Sequence, residues 1–151
     1  MPERSVSFNL GIPLEKGWEF FGNIERWSLC IPGFKEVKKI SENEYDGIIE
    51  ARVLRTSREI KGRIRIEELN PYSHYIKYRG QGELKEGFAR YKITLGGTLN
   101  LEALPGGEIR VTFAGTVEAS GLGGVIINKI VSGQMADMMQ KFEQNVKNSI
   151  A

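Results

Sequence analysis

The sequence predicts an α+β fold in which a curved antiparallel β-sheet of about seven strands wraps around one long C-terminal helix. Three observations carry this prediction. Apolar and polar residues alternate with a period of two through most of residues 34–119, short turns interrupt that alternation, and the C-terminal segment changes to a helical period. Two short helices after the first strand complete the order, and we expect residues 1–151 to form a single domain.

The N-terminal part of the chain predicts one strand and two short helices. Ser5–Leu10 alternates between polar and apolar side chains, which is typical of a half-buried strand. Pro13 suits the first turn of the following helix, where a missing N–H group costs nothing, and apolar residues then recur at helical spacing. A second helical segment, Ile24–Leu29, ends where Pro32 and Gly33 force a turn.

The middle of the chain predicts strands that each present one apolar face. On the clearest of them, Ile60, Gly62, Ile64 and Ile66 point inward, and polar or charged residues occupy the positions between them. Connections between strands are predicted at residues 41–44, 54–57, 70–73, 83–87 and 105–107. Because these connections are short, we expect neighbouring strands to be antiparallel.

The C-terminal segment predicts one long helix. Between about Leu122 and Ile150, apolar residues recur in steps of three and four, at Ile127, Val131, Met135, Met138, Phe142 and Val146. At a rise of ~1.5 Å per residue this helix is about 40 Å long. The glycines within residues 121–124 mark a loose start, which we expect to be a flexible helix entry or a hinge.

The composition excludes several classes of function. One cysteine excludes an intramolecular disulfide and Cys-rich metal sites, and one histidine excludes His-pair metal motifs. A balance of 21 basic to 19 acidic residues is too even for a general nucleic-acid-binding protein. We therefore expect no metal, no cofactor and no nucleic acid. We also expect His74 to be an exposed turn residue and Cys30 to be a small apolar residue beside a cavity.

No segment predicts export or membrane insertion. The first residues lack the basic segment and apolar run of a secretion signal. The longest strongly apolar stretch, Val125–Val131, is far shorter than the ~20 residues that span a bilayer. We expect a cytoplasmic protein, or one that is peripheral at the inner face of the membrane.

An ordered series of motifs extends over nearly the whole chain. Trp18 is followed by the turn at Cys30–Gly33, by Glu44-Tyr45 at the start of a strand and by Lys61-Gly62. The series continues with Pro71, Gly80-Gln81-Gly82, Gly87-Phe88-Ala89 and the terminal helix. In this order the motifs resemble the carbon monoxide dehydrogenase G-subunit family, within the START/Bet v 1-like superfamily that is also called SRPBCC or helix-grip.

The resemblance implies a hydrophobic cavity between the sheet and the C-terminal helix. Superfamily relatives hold lipids, sterols, quinones or polyketides there, so it implies a non-enzymatic protein that binds a lipid or quinone-like molecule. The candidate lining residues are Trp18, Phe21, Trp27, Ile31, Tyr78, Phe88, Tyr91, Phe113, Met135, Met138, Met139 and Phe142. Methionine adapts to irregular apolar ligands, and the phenol of Tyr78 or Tyr91 would orient a polar head group. Ordinary core packing is the alternative for each of these side chains.

Family relatives are associated with carbon monoxide dehydrogenase at the cytoplasmic membrane. The resemblance therefore also implies an accessory or recruitment role for a molybdenum hydroxylase of that type. The candidate docking residues, predicted on the outer face of the sheet, are Arg52, Lys61, Arg63 and Arg65, with Arg55, Arg58, Lys77 and Arg79 nearby. Such a patch suits an acidic protein or anionic lipid head groups, and a plain solvated sheet face is the alternative.

An enzyme similar to the polyketide cyclases and dehydratases of this superfamily is the alternative function. Acid–base chemistry in the cavity needs an ionisable side chain that faces it. In the predicted register no aspartate or glutamate points inward, and strand carboxylates such as Glu59 and Glu67 point outward. The pattern thus favours binding over catalysis.

The glycine content is high, with 18 glycines among 151 residues. Six of them fall on inward positions of the predicted strands, namely Gly47, Gly62, Gly80, Gly82, Gly97 and Gly115. A solidly packed core would have larger apolar side chains at such positions. We therefore expect these glycines to let the strands bend and to leave space for the cavity.

Overall fold

The computed structural model describes residues 3–53, 56–86, 89–121 and 124–150. The first elements are β1 (Glu3–Leu10), α1 (Leu14–Phe21), α2 (Ile24–Trp27) and a 3-10 turn (Ser28–Cys30). They are followed by β2 (Phe34–Lys39), β3 (Glu44–Val53), β4 (Thr56–Asn70), β5 (Tyr75–Glu86), β6 (Ala89–Ala103), β7 (Ile109–Ser120) and α3 (Gly124–Ile150). The predicted order of elements is confirmed.

The described strands form one antiparallel sheet in the order β1-β7-β6-β5-β4-β3-β2. The first strand pairs with the last, with Leu10 opposite Ile109 and Glu3 opposite Thr116, and β2 forms the other edge. Because α1 and α2 connect β1 to β2, the chain crosses from one edge of the sheet to the other through these two short helices. The long helix α3 contacts β1, β7 and the 3-10 turn, so the predicted α+β architecture is confirmed.

One predicted connection between strands is wrong. The sequence predicts a connection at residues 83–87, but β5 continues through Glu86. Leu84 pairs with Tyr91 of β6, and its side chain is buried. The strand continues because Leu84 keeps the inward parity of Tyr78 and because β6 supplies hydrogen-bond partners for the backbone.

The C-terminal half of α3 is anchored in the core by apolar side chains. Phe142 and Val146 are 1% and 0% exposed. The Phe142 ring centroid lies 4.8 Å from that of Phe113, 6.2 Å from Phe8 and 6.4 Å from Trp27. Complete burial of a side chain of this size stabilises the fold by roughly 1.5–3 kcal/mol. This aromatic cluster therefore joins α3 to α2, β1 and β7.

Polar side chains attach α3 near both of its ends. Near the start, Asn128 Oδ1 accepts a hydrogen bond from the Ala119 N–H (2.8 Å), and Asn128 Nδ2 donates one to the Ala119 carbonyl (3.1 Å). Near the end, Asn145 Nδ2 donates to the carbonyl oxygen of Cys30 (2.9 Å). Ser149 Oγ lies 3.6 Å from Cys30 Sγ. The helix is thus fixed to β7 at one end and to the 3-10 turn at the other.

The predicted glycine-rich start of α3 is described only in part. Gly121 has a φ of +121°, a conformation that glycine adopts readily, and Gly124 is the first residue of the helix. Residues 122 and 123 lie outside the described residues. The expected hinge stays a prediction.

Candidate functional site

A cavity of about 680 Å³ lies between α3 and the sheet. Its walls come from β3 to β7, from residues 31–34 and from residues 131–142 of α3. Those helix residues lie between the two polar attachments at Asn128 and Asn145. The helix is therefore held near both ends and borders the cavity between them. Small-molecule sites in proteins typically have volumes of about 300–1,000 Å³.

Apolar side chains form most of the wall. The sheet contributes Ile49, Ile60, Leu84, Ile93, Leu95, Phe113 and Val117, and the helix contributes Val131, Met135, Met138, Met139 and Phe142. Met135 is 4% exposed, and Met138 and Met139 are half-buried. Unbranched methionine side chains can follow the shape of an irregular ligand. A space with such walls favours an apolar occupant.

Seven of the residues predicted to line a cavity do lie on this wall. They are Ile31, Tyr78, Phe113, Met135, Met138, Met139 and Phe142. The turn before β2, the middle of the sheet and the helix thus meet around one space. Whether these side chains contact a ligand stays a prediction.

Two predicted lining residues belong to the packed core instead. Phe21 and Trp27 are 0% and 1% exposed. The Trp27 ring lies edge-on to the rings of Tyr78 (5.8 Å) and Phe113 (5.9 Å). Because Tyr78 and Phe113 themselves line the cavity, Trp27 lies behind the wall and supports it.

Trp18 and Tyr91 also lie off the wall of the cavity. The Trp18 ring meets the His74 ring edge-on, with centroids 5.2 Å apart. His74, predicted to be exposed, is instead half-buried by this contact and has a φ of +55°. Tyr91 is half-buried and packs against the cluster that contains Leu84 and Ile93, whose side chains reach the cavity in its place. Phe88 lies outside the described residues.

Several lining residues were not identified from the sequence pattern. Leu84 has the same strand parity as Gly80 and Gly82, so that parity is a signal that could have identified it. Phe34 opens β2 directly after the turn that contains Ile31. No comparable signal marks Gly96 and Thr116, because both have outward strand parity.

Most of the inward glycines serve close packing within the sheet. A Cβ atom on Gly62 would collide with the carbonyl oxygen of Gln81, and one on Gly97 would lie 2.6 Å from the Tyr78 hydroxyl. Of the six inward glycines, Gly115 is the one that lines the 680 Å³ cavity. The expectation that all six leave cavity space is therefore corrected, since neighbouring side chains and backbone fill most of that space.

Tyr78 brings a phenol to the apolar wall. The side chain is 7% exposed, and burial raises the pKa of its hydroxyl. Tyr78 pairs in register with Gly97 of β6, and its ring stacks on Phe113 with centroids 6.2 Å apart. The hydroxyl oxygen lies over Gly97, where a Cβ atom would be 2.6 Å from it. The site therefore contains a neutral, buried hydrogen-bond donor.

Carboxylates reach the cavity only at its mouth, as far as the structure describes its lining. Glu50 is exposed and pairs with Lys35, and Asp137 is exposed and pairs with Lys141 at 3.1 Å. Both carboxylates are in contact with solvent and with a cation. Neither has the desolvated environment that a buried general acid or base requires.

Cys30 lies beside the attachment of α3 and directly before the lining residue Ile31, and it is not itself among the described lining residues. It is 4% exposed, and burial raises the pKa of its thiol, an effect that the Ser149 hydroxyl partly offsets. A thiol with a raised pKa is a poor nucleophile at neutral pH. In residues 3–53, 56–86, 89–121 and 124–150, no group of three or more His, Cys, Asp or Glu side chains is placed to bind a metal. No helix in the same ranges is long and apolar enough to cross a membrane.

The outward face of the sheet is mixed in charge. Arg63 lies 3.3 Å from Asp46 and 3.8 Å from Glu44, and Lys61 is opposite Glu83 in register. β3 and β5 thus place carboxylates beside the basic residues of β4, and docking through these residues stays a prediction. Of the other predicted docking residues, Arg65 is exposed opposite Glu44, and the Arg52 side chain and all of Arg55 lie outside the described residues.

Solved structures with this architecture share little sequence identity with the chain. The crystal structure of a conserved protein from Geobacillus kaustophilus has a TM-score of 0.78 and 18% identity, over 98% of this chain and 94% of that one. Zhui aromatase/cyclase from Streptomyces sp. R1128 has a TM-score of 0.57 and 12% identity, over 98% and 91%. The di-domain ARO/CYC BexL has a TM-score of 0.61 and 15% identity, over 97% of this chain and 47% of that one. These likenesses show the helix-grip fold.

Sequence comparison identifies the family. None of the curated proteins is significantly similar in sequence to this chain. The CoxG family model, which describes the carbon monoxide dehydrogenase G-subunit, matches residues 7–151, and these include the turn before β2, the sheet and α3. The chain therefore belongs to the carbon monoxide dehydrogenase G-subunit (CoxG) family.

Proposed function

We propose that this protein binds an elongated, largely apolar molecule, such as a lipid or a quinone-like compound, in the cavity between the sheet and α3. The observation that carries this proposal is the 680 Å³ cavity with its mostly apolar wall. A solidly packed interior would have argued against it. In this proposal the protein acts by holding its ligand and not by catalysis.

The attachment of α3 supports the proposal. The helix is fixed by Asn128 near its start and by Phe142, Asn145 and Val146 towards its end. Burial of about 300 Å² of ligand surface would contribute roughly 7 kcal/mol before the cost of association is subtracted. The protein can make this contact without a large movement of α3, because the helix is already attached to the rest of the fold on both sides of the cavity.

An aromatase/cyclase-like enzyme is the alternative for this fold. Zhui and BexL, two of the similar structures described above, carry aromatase/cyclase names, although their identity to this chain is 12% and 15%. Such chemistry would need an ionisable group inside the cavity. The carboxylates described on the wall, Glu50 and Asp137, are exposed and ion-paired, and His74 packs against Trp18. These contacts favour binding.

Recruitment of a carbon monoxide dehydrogenase-type molybdenum hydroxylase, or docking on an anionic membrane, is a second part of the proposal. Family membership supports it, and the exposed Lys61, Arg63 and Arg65 are the candidate contacts. Flotation with vesicles containing phosphatidylglycerol and co-purification with the hydroxylase test the two partners. Binding that decreases with salt and with Lys61→Glu would support this role. Absence of both associations at low salt would contradict it.

Ligand binding itself can be tested on the purified protein. Trp27 contacts the cavity residues Tyr78, Phe113 and Phe142 with ring centroids 5.8–6.4 Å apart, so its fluorescence should respond to an aromatic ligand. In a Trp18→Phe variant, Trp27 is the remaining tryptophan. We expect saturable changes of this fluorescence with 2-ethylnaphthalene, and native mass spectrometry should show a non-covalent apolar adduct. Failure of both measurements would contradict the proposal.

A further inference from the structure

Tyr78 brings a hydroxyl group to a cavity wall that is otherwise mostly apolar. Buried hydroxyl groups in proteins are nearly always hydrogen-bonded, because an unpaired one in apolar surroundings is unfavourable. The polar side-chain atoms that are fully enclosed without a partner are Trp27 Nε1 and Ser28 Oγ, among the described residues. The Tyr78 oxygen is not one of them, and Tyr78 lines the cavity, so a bound ligand is within reach of this side chain.

The surroundings of the Tyr78 ring determine where its hydroxyl lies. Phe113 stacks on the ring at an interplanar angle of 22°, and Trp27 meets it edge-on at 61°. The ring lies over Gly97, where a Cβ atom would come within 2.6 Å of the hydroxyl oxygen. Gly97 pairs with Gly115, which lines the cavity. The hydroxyl therefore lies over Gly97, one strand away from the cavity residue Gly115.

The other phenols of the sheet are less suited to this role. Tyr91 is half-buried and does not line the cavity in the described structure. Tyr45 is buried in the core cluster and is likewise absent from the described wall. The sequence left open which tyrosine would orient a polar group, and the geometry selects Tyr78.

The charges around the cavity indicate what kind of group would pair with Tyr78. Burial keeps the phenol protonated, so it is a donor. The positively charged side chain described on the cavity wall is that of Lys141, which is exposed at the mouth of the cavity and forms an ion pair with Asp137. A ligand carboxylate beside Tyr78 would lose its water without gaining a positively charged partner among the described residues, which is strongly unfavourable. A neutral carbonyl oxygen needs only one hydrogen-bond donor, and the Tyr78 hydroxyl provides it.

We propose that the Tyr78 hydroxyl donates a hydrogen bond to a carbonyl oxygen of a neutral ring-bearing ligand, whose ring lies against Phe113 and the α3 methionines. This inference rests on the proposed function, because it assigns the orientation and the chemical class of the molecule in the same cavity. This chemical class of ligand excludes fatty acids that enter the cavity with their carboxylate group towards Tyr78. The apolar remainder of the ligand then extends towards the mouth.

A matched pair of probes tests this assignment on the full chain. 2-Acetylnaphthalene carries a carbonyl group, and 2-ethylnaphthalene has the same ring and nearly the same shape without it. Dissociation constants for both are measured with the natural protein, with Tyr78→Phe and with the control Tyr91→Phe. Loss of one hydrogen bond should weaken binding of the ketone to Tyr78→Phe about two- to tenfold and leave that of the hydrocarbon unchanged. Tyr91→Phe should change neither value.

A second readout observes the hydrogen bond itself. The stretching frequency of a ¹³C-labelled carbonyl in bound 2-acetylnaphthalene should be lower in the natural protein than in Tyr78→Phe. Equal effects of Tyr78→Phe on both probes, or an unchanged carbonyl frequency, would overturn the assignment while leaving the cavity proposal intact. If neither probe binds the natural protein, both the assignment and the proposed function fail.

Discussion

The side-chain amide of Asn128 pairs with both backbone polar groups of Ala119, at 2.8 and 3.1 Å. β1 begins opposite Thr116 in the described structure, so residues 117–120 of β7 extend beyond it. Ala119 is buried, and its N–H and C=O groups need partners. Asn128 provides them where a neighbouring strand is missing. The same contact positions α3 just before Val131, the first helix residue described on the cavity wall.

Removal of this pairing should destabilise the protein. In Asn128→Leu both Ala119 groups lose their partner, which we expect to lower the free energy of unfolding by about 1–3 kcal/mol. Urea unfolding measures the change. Asn148→Leu, at an exposed position of the same helix, is the matched control and should change it little. Equal stabilities of the two variants would contradict a structural role for the Asn128–Ala119 pair.

Two positions that lie one turn apart on α3 should respond differently to side-chain truncation. Phe142→Ala removes a fully buried ring from the aromatic cluster, and we expect a loss of about 3–5 kcal/mol. Met138 is half-buried and faces open space, so Met138→Ala should cost about 1 kcal/mol or less. Chemical denaturation compares them. A large decrease in the free energy of unfolding for Met138→Ala would mean that protein side chains occupy the cavity.

Filling the cavity from the sheet should reduce binding without loss of stability. A Cβ atom on Gly115 would have only ordinary contacts, 3.5 Å from Phe113 and 3.6 Å from Met139. Gly115→Val therefore fits in the strand, where it should keep or raise stability by up to about 1 kcal/mol. Its branched side chain enters the cavity, and we expect at least a tenfold weaker affinity for 2-ethylnaphthalene in fluorescence titrations. Gly11→Val, at an exposed glycine with open space around it, is the control. Unchanged affinity in Gly115→Val would place the binding site elsewhere.

The buried phenol should make stability depend on pH in the alkaline range. The pKa of Tyr78 in the folded protein is raised above its ordinary value of 10.0, so the folded state favours the protonated form. Its contribution is fully present below pH 10 and is lost as the pH rises further, by up to about 1.4 kcal/mol per pH unit. Unfolding free energies between pH 9 and 11 should thus decrease less steeply in Tyr78→Phe. Tyr72→Phe, at a 92% exposed tyrosine, should behave like the natural protein. Identical slopes for all three proteins would show that Tyr78 is not buried in solution.

The sequence predicted the fold well because the relevant signals are local. Period-two alternation identified strands such as β4, and helical spacing identified α3, so the order of elements followed directly. The connection predicted at 83–87 was wrong because Leu84 pairs with Tyr91 of β6 and the strand continues to Glu86. The shared strand parity of Gly80, Gly82 and Leu84 was the local signal for this extension.

The cavity wall was predictable only in part. The patterns place Tyr78 at an inward strand position and Trp27 on a short helix, but they do not show which ring lies in front of the other. In the structure Trp27 contacts Tyr78, Phe113 and Phe142 and is itself absent from the described wall, so it lies behind them. The basic outer face similarly required the register of β3, which places Asp46 beside Arg63.

The most direct test of the central claim is an NMR titration of protein labelled with ¹³C in its methionine methyl groups. Met135, Met138 and Met139 line the cavity, so the ring current of bound 2-ethylnaphthalene should shift their methyl signals in a saturable way. In Gly115→Val the same shifts should require much higher probe concentrations. Methionine signals that stay unchanged, while the probe saturates the protein or fails to bind at all, would contradict an apolar binding site between the sheet and α3.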